Sequence, residues 1–376
     1  MIIKNGSVFT EEGKFKQGNV IIADGMIKDI VCDAEVEDTE VIDATDCYVI
    51  PGLVDIHFHG CVGHDFCDGT HEAFDAITEY QLKNGVTSIS PATMTLSREE
   101  LAGIFKAAGT YENKTGSTIR GITMEGPFVS LAKKGAQNGA YIHKPDVEFY
   151  REMQDLSGNL IKQVAVAPEE DTDLAFTKEI SKETTISVAH TTANYDIANA
   201  AFNNGATHVT HLFNAMPPFL HRDPAVVGAA FDHENVCVEM ICDGIHLHPS
   251  TVRCMFKLFG ADRICMISDS MMATGLTDGD YALGGQPVKV TGKTATLADG
   301  TIAGSASNLH DCLKVAVKEM GIPLEEAVLA STKTPAKSLC LDGECGILAV
   351  GRIADLVILD KELNICKVIK NGTIVE

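Results

Sequence analysis

The chain has 376 residues, 45% of them apolar, enough for one large core with a small appendage. Its formal net charge of −22 argues against a nucleic-acid partner, whose phosphates need clustered Lys and Arg, and against an anionic membrane surface. No apolar run reaches the length of a membrane span, and the start MIIKNGSVFT lacks the charged and apolar regions of a signal peptide. Twelve Cys occur without a single Cys-x-x-Cys pair, and several sit inside apolar runs such as VCVEMIC and RICMIS. They are expected to be reduced packing residues of a cytoplasmic protein.

Residues 1–50 read as short strands, VII and YVI among them, separated by the turn dipeptides Asn5-Gly6 and Asp24-Gly25. From residue 53 the pattern changes to short runs rich in Val, Ile and Thr, each followed by a helical stretch. The runs are LVDIHFH (53–59), VTSISPA (86–92), IRGITME (119–125), IKQVAVA (161–167), TTISVAH (184–190), THVTHLF (207–213), VCVEMIC (236–242) and RICMISD (263–269). Between them HEAFDAITEYQLKNG, SREELAGIFKAAGTYEN and ANYDIANAAFNNG carry helical apolar spacing with Gly or Asn stops. Eight such units predict an α/β fold, a (β/α)8 TIM-like barrel, with a doubly wound open sheet as the alternative. Residues 275–304 read as a β-hairpin insertion after the eighth strand. The end of the chain, GILAVGRIADLVILD and VIKNGTIVE with Asn371-Gly372, returns to the style of the beginning. The expected division is a small β-sandwich domain from residues 1–51 and 341–376, and a barrel over residues 52–340.

Active sites of such barrels lie at the C-terminal ends of the strands. His57 and His59 end the first run, Glu125 the third, His190 the fifth and Asp269 the eighth, with His211 near the end of the sixth. On a strand, His57-x-His59 puts two imidazoles on one face, where neutral nitrogens suit a divalent metal; a core or solvated pair is the alternative. Glu125 closes its run before Gly126-Pro127. A carboxylate there needs a partner, either a cation or a loop Lys such as Lys133 or Lys134. His190 and His211 end successive strands and so lie near each other, although each alone would more often be a core His. Asp269 beside a metal can take a proton from water; the alternative is a helix N-cap. Six such groups at strand ends point to a metal-dependent hydrolase.

PGLVDIHFHG, MEGPFV, AHT, THLFNAM, CDGIHLHP and ISDSM, in this order, resemble the N-acetylglucosamine-6-phosphate deacetylases of the amidohydrolase superfamily, over essentially the whole chain. PGLVDIHFHG alone is shared across the superfamily, with dihydroorotases, allantoinases and D-aminoacylases; MEGPFV, HLFNAM and DGIH are more specific. The resemblance implies a barrel with a small β domain, a homodimer, and hydrolysis of N-acetylglucosamine 6-phosphate to glucosamine 6-phosphate and acetate. It implies Glu125, His190 and His211 as principal metal ligands, and His57 and His59 as a second metal position bordered by the catalytic Asp269. One or two divalent metals per subunit follow, Zn first, with Fe, Mn or Co admitted by the same ligands. Glu125 takes the bridging role that a carboxylated Lys has elsewhere in the superfamily.

For substrate, the resemblance implies Ala136, Gln137, Asn214, Ala215, Arg222, Asp243, Gly244, Ile245, His246, Ile302, Ala303 and Gly304. Arg222 matches a phosphate-binding Arg that can reach in from the neighbouring subunit, the placed cation an acidic protein needs to bind a dianion. Gln137 stands where the family often has a His assigned to the substrate carbonyl; Gln can donate a hydrogen bond but does not titrate. The competing readings are N-acetylgalactosamine 6-phosphate or a cyclic amide as substrate, and a non-catalytic scaffold that would have lost metal ligands.

Overall fold

The structure is a computed structural model that describes residues 1–32 and 40–375. The chain begins with five strands, β1 (Ile2–Phe9), β2 (Phe15–Ala23), β3 (Met26–Val31), β4 (Val41–Asp43) and β5 (Tyr48–Pro51). It ends with three more, β20 (Leu356–Leu359), β21 (Ile365–Lys370) and β22 (Thr373–Ile374), and all eight share one hydrogen-bonded sheet. The pivot is β1. It pairs antiparallel with β2 on one side, and on the other runs parallel first to β4 and then to β5. Antiparallel pairing of β20 with β5 brings the two chain ends together.

Alternation along these strands puts Ile3, Val8, Val20, Ile27, Val49, Leu356 and Ile369 into one buried cluster. The far edge, β3, returns to that cluster: Ile27 N–H donates to the Arg352 carbonyl and Gly351 N–H to the Ile27 carbonyl, each at 2.8 Å. The expected two-sheet sandwich is therefore one sheet curled onto its own core. Asp24 and Asn371 open two-residue turns between paired strands with φ of 53° and 50°, the left-handed region that such turns require. Asn5-Gly6, expected as a turn, instead lies inside β1, at a bulge where the pairing with β2 shifts between Ile3 and Gly6 and Asn5 has φ 61°.

The middle of the chain holds the parallel strands β6 (Leu53–Asp55), β9 (Val86–Ile89), β10 (Thr118–Ile119), β11 (Ile122–Met124), β12 (Ile161–Val166), β13 (Thr185–Val188), β14 (His208–Val209), β15 (Cys237–Ile241) and β16 (Ile264–Ile267). A small pairing of β7 (Gly60–Cys61) with β8 (His64–Asp65) follows β6. β10 and β11 are halves of one run: β10 pairs with β9, β11 with β12, and Ala92 bridges to Thr123. Strand neighbours follow chain order throughout. The last strand meets the first, where Asp269 N–H donates to the His57 carbonyl at 3.0 Å and Ser268 Oγ to Asp55 Oδ2 at 2.5 Å. A doubly wound sheet would reverse its order and leave two edges; sequential order with the ends joined is an α/β barrel beside a small β domain.

Helices cover the outside. His71–Lys83 starts at a Thr70 cap, and Arg98–Gly109 starts at Ser97, whose side chain and that of Glu100 form a capping box. At the N-terminal mouth, Leu339, Leu341 and Cys345 pack onto Val54, Ile241 and Cys265. After β16 the chain forms the antiparallel strands β17 (Gly279–Leu283), β18 (Gln286–Thr291) and β19 (Thr294–Thr296). Their Leu283, Val288 and Val290 pack with Met94, Ala136 and Met271, beside the C-terminal mouth.

Candidate active site

Six side chains converge at that mouth, and each is delivered by the turn that leaves a strand. His57 and His59 lie just past β6 rather than on it, Glu125 directly follows β11, and His190, His211 and Asp269 each lie two residues beyond β13, β14 and β16. All six are buried. His190, His211 and Asp269 have φ of 43°, 28° and 49°. For residues with a Cβ this backbone costs about 1–3 kcal/mol each and persists where the surroundings enforce it, a pattern typical of functional sites.

The six form two groups, Glu125 with His190 and His211, and His57 with His59 and Asp269, each with its candidate ligand atoms within 4.8 Å of one another. Glu125 Oε1 is 3.1 Å from Nε2 of both His190 and His211, and these two nitrogens are 3.2 Å apart. Glu125 Oε2 faces His59 Nε2 at 3.4 Å, and Asp269 Oδ1 faces the same nitrogen at 3.3 Å. Glu125 therefore stands between the groups. The loop-lysine alternative fails: Lys133 Nζ donates to the Met216 carbonyl, and Lys134 Nζ to those of Gly135 and Gln137. No helix begins at Asp269, so it caps none.

Tautomers decide what the cluster presents. His190 Nδ1 lies 2.8 Å from the Lys133 carbonyl, which can only accept, so Nδ1 carries a proton. His57 Nδ1 is likewise 2.9 Å from Glu239 Oε2. Each ring then aims Nε2 at the carboxylates, and His57 Nε2 is buried with no hydrogen-bond partner among the described residues. Lone pairs facing carboxylates require positive charge between them. Without a metal, protons supply it. Burial opposes charge on His57, but Glu239 and Glu125 outweigh it and raise its pKa well above the ordinary value. Burial likewise opposes charge on His59, and Asp269 and Glu125 raise it. Burial would raise Glu125, yet His57 and the hydrogen bonds from His190 and His211 hold it well below the carboxylate range; Asp269 is lowered against burial by His59 and His57. Imidazole and carboxylate donors arranged in this way fit a divalent metal, which would displace those protons.

His59, Glu125, His190, His211 and Asp269 line the floor of a cavity of about 380 Å³, with His57 fully buried behind them. Of the residues implied for substrate, Ala136, Gln137, Asn214, Ala215, His246, Ile302 and Gly304 line it. Asp243 is buried beside it, accepting from His246 Nδ1 at 2.8 Å and from the Ile245 and His246 N–H groups. Ala303 is buried, and Gly244 and Ile245 lie at the surface. Arg222 is exposed and does not line the cavity of its own chain. Gln137 reaches the cavity with both ends of its amide engaged: Oε1 accepts Thr95 N–H and Nε2 donates to Glu125 Oε2, each at 2.7 Å. Its hydrogen bond steers Glu125 instead of standing free for a carbonyl.

Glu239, His208 and Gln163, beneath the cluster, escaped the reading of strand ends. Glu239 sits inside the apolar run VCVEMIC, and the available signal was a carboxylate in the middle of a buried strand. Lys133 was read only as a possible partner of Glu125, yet it lines the cavity and its carbonyl orients His190.

The Amidohydrolase family matches residues 48–375. N-acetylglucosamine-6-phosphate deacetylase from Bacillus subtilis is 35% identical, over 100% of this chain and 96% of its own length. N-acetylgalactosamine-6-phosphate deacetylase from Escherichia coli O157:H7 is 28% identical, over 97% of this chain and 96% of its own. Among solved structures, N-acetyl-D-glucosamine-6-phosphate deacetylase from Mycobacterium smegmatis, a mutant in complex with N-acetyl-D-glucosamine-6-phosphate, superposes with a TM-score of 0.93 at 31% identity, covering 100% of this chain and 99% of that one. The family match runs from before His57 to beyond Asp269 and so takes in every strand end that delivers a residue to the cluster: this chain belongs to the amidohydrolase family.

Proposed function

We propose that the chain is a metal-dependent hydrolase that removes the acetyl group of N-acetylglucosamine 6-phosphate, giving glucosamine 6-phosphate and acetate. The observation that carries this is the sharing of one cavity floor by two His–carboxylate groups, with Asp269 facing the space above. The relatives named above supply the substrate class. Glu125, His190 and His211 would hold one cation, and His57 and His59 a second, with Asp269 beside it. Zn is the first expectation from this donor set. When bound, the cation supplies Lewis-acid polarisation of the acetyl carbonyl and acidifies water.

The chain's own residues do the rest. Asp269, kept ionised by His59 and His57, takes a proton from the attacking water and passes it to the departing amine nitrogen. An amine cannot leave well without that proton. Gln137 holds Glu125 in register, so no charge from this side chain reaches the carbonyl. Asn214, Ala215, His246, Ile302 and Gly304 frame the sugar. The phosphate needs a cation, and Arg222, exposed beside Phe219 and Leu220, would serve the site of a second subunit in a homodimer. The small β domain comprises residues 1–51 and 341–376, and the barrel with its insertion at 275–304 comprises residues 52–340. No described helix is long and apolar enough to cross a membrane. We read the chain as a cytoplasmic enzyme of amino-sugar breakdown, its net charge of −22 arguing against nucleic-acid and anionic-membrane partners.

The test is acetate release from both N-acetylhexosamine 6-phosphates, with metal quantified in the same sample. The expected result is turnover of the gluco epimer, lost on chelation and restored by metal. Preference for the galacto epimer would move the assignment to that substrate. No acetate from either by metal-loaded protein would refute the activity.

A further inference from the structure

Glu239 is a carboxylate with 0% exposure inside β15. Burial of an unpaired charge there would cost several kcal/mol, so its partners must compensate. It has four, two on each oxygen. Oε2 accepts from His57 Nδ1 at 2.9 Å and from the His211 backbone N–H at 3.1 Å. Oε1 accepts from Gln163 Nε2 at 2.8 Å and faces His208 Nε2 at 3.0 Å. Oε2 already accepts the His211 N–H and Oε1 the Gln163 amide, so the carboxylate acts as an acceptor at both oxygens and the proton in its short contact with His57 sits on Nδ1. That choice turns the Nε2 lone pair toward Glu125 and Asp269, where among the described residues it has no hydrogen-bond partner. The bond to His211 acts at the backbone of a residue held at φ 28°. A single oxygen atom thus grips one member of each ligand group.

We infer that Glu239 is a positioning residue that couples the two halves of the site, setting the His57 tautomer through Oε2 while pinning the turn that presents His211. This rests on the reading of His57 and His211 as metal ligands. Outer partners of this kind typically change metal affinity about 10- to 100-fold. Glu239→Gln keeps the shape and removes the charge. The neutral amide can be absorbed on the Oε1 side, since among the described residues His208 Nδ1 and Gln163 Oε1 have no partner, so the ring can change tautomer and the Gln163 amide can turn its oxygen to the new donor. What is lost is the polarisation of His57 and the strong acceptor for the His211 N–H.

The experiment titrates Co²⁺ into metal-free wild-type protein and the Glu239→Gln variant, in competition with a chromophoric chelator. It records the visible Co²⁺ spectrum and the thermal midpoint of the metal-free forms. The expected result is Co²⁺ binding weakened about 10- to 100-fold with a changed spectrum. Affinity within twofold of wild type, an identical spectrum and a lowered metal-free midpoint would make Glu239 purely structural and overturn the inference. Failure of wild-type protein to bind Co²⁺ would instead overturn the metal reading, and the inference with it. Should the variant not fold, ¹⁵N-histidine spectra of metal-loaded wild type decide: His57 protonated on Nδ1 supports the assignment, and protonation on Nε2 refutes it.

Discussion

The molecule buries charge in two places and settles it in opposite ways. In the terminal sheet, Lys370 and Asp355 are each less than a tenth exposed. Lys370 Nζ donates to Asp355 Oδ2 at 2.6 Å and to the Thr87 carbonyl at 3.0 Å, and Asn371 N–H fills Asp355 Oδ1 at 2.7 Å. Donors and acceptors match, and the chain itself completes the pair. At the barrel mouth, Glu125 and Asp269 face imidazoles whose other nitrogens are already committed or unpaired. There, among the described residues, no Lys or Arg completes the carboxylates, and in the metal's absence protons on the imidazoles must supply the positive charge. A closed pair stabilises a fold; a cluster short of positive charge is built to receive it from outside. Burial alone does not mark a functional site, and the balance of donors against acceptors does.

The hardest test of this contrast is Asp269→Asn. It keeps the shape and removes the base, so kcat should fall by about 10²- to 10⁴-fold with metal content, measured by elemental analysis, nearly intact. Near-normal kcat would remove Asp269 from proton transfer. Lys370→Met makes the opposite cut. It leaves the Asp355 carboxylate buried with one backbone donor, a change that typically costs about 3–5 kcal/mol. Denaturant unfolding should register that loss while kcat of the folded fraction stays unchanged. A large kcat effect with intact stability would erase the distinction between the two regions.

Arg222→Ala tests the proposal that the barrel mouth takes its phosphate-binding charge from a second subunit. The loss of a charge-assisted hydrogen bond should raise KM about 10- to 100-fold with kcat little altered. Refolding mixtures of Arg222→Ala with Asp269→Asn should recover activity, because one hybrid site then holds both native side chains. Recovery that never exceeds the Arg222→Ala level would place Arg222 in its own subunit's function.

The same contrast explains what could be read from sequence. His57, His59, Glu125, His190, His211 and Asp269 stood out because each lies at or near the end of an apolar run, and strand ends are where a barrel exposes chemistry. Glu239 did not, because its partners come from the turn after β6, from β12, and from β14 and the turn after it, and no spacing encodes them. For Gln137 the residue type was legible, but not that Thr95 and Glu125 claim both ends of its amide. The turns at Asp24 and Asn371 were legible because left-handed φ selects the residue; the same signal at Asn5 marks a bulge inside β1, since a left-handed φ serves both and local sequence does not say which. The curl of the terminal sheet depends on contacts of β3 with residues 351–354, more than three hundred positions away in the chain, and local pattern carries no trace of it.

A third buried group offers the smallest and cleanest check. His310 lies under the β20–β21 connection, with Nε2 2.8 Å from the Leu363 carbonyl. Burial lowers its pKa below the ordinary 6.5, against the pull of that carbonyl. It has neither the paired charge of Lys370 nor the carboxylates around His57, so it stays neutral. The sign follows. Above pH 6.5 neither folded nor unfolded chain protonates it, and its contribution is whole. As pH falls from 6.5 toward the lowered folded value, the unfolded chain takes up the proton first, and stability drops by at most about 1.4 kcal/mol per pH unit. His310→Gln keeps a donor for Leu363 and cannot titrate. Its unfolding free energy should therefore decline less steeply than wild type between pH 7 and pH 5, and parallel curves would mean that folding leaves the pKa of His310 unchanged.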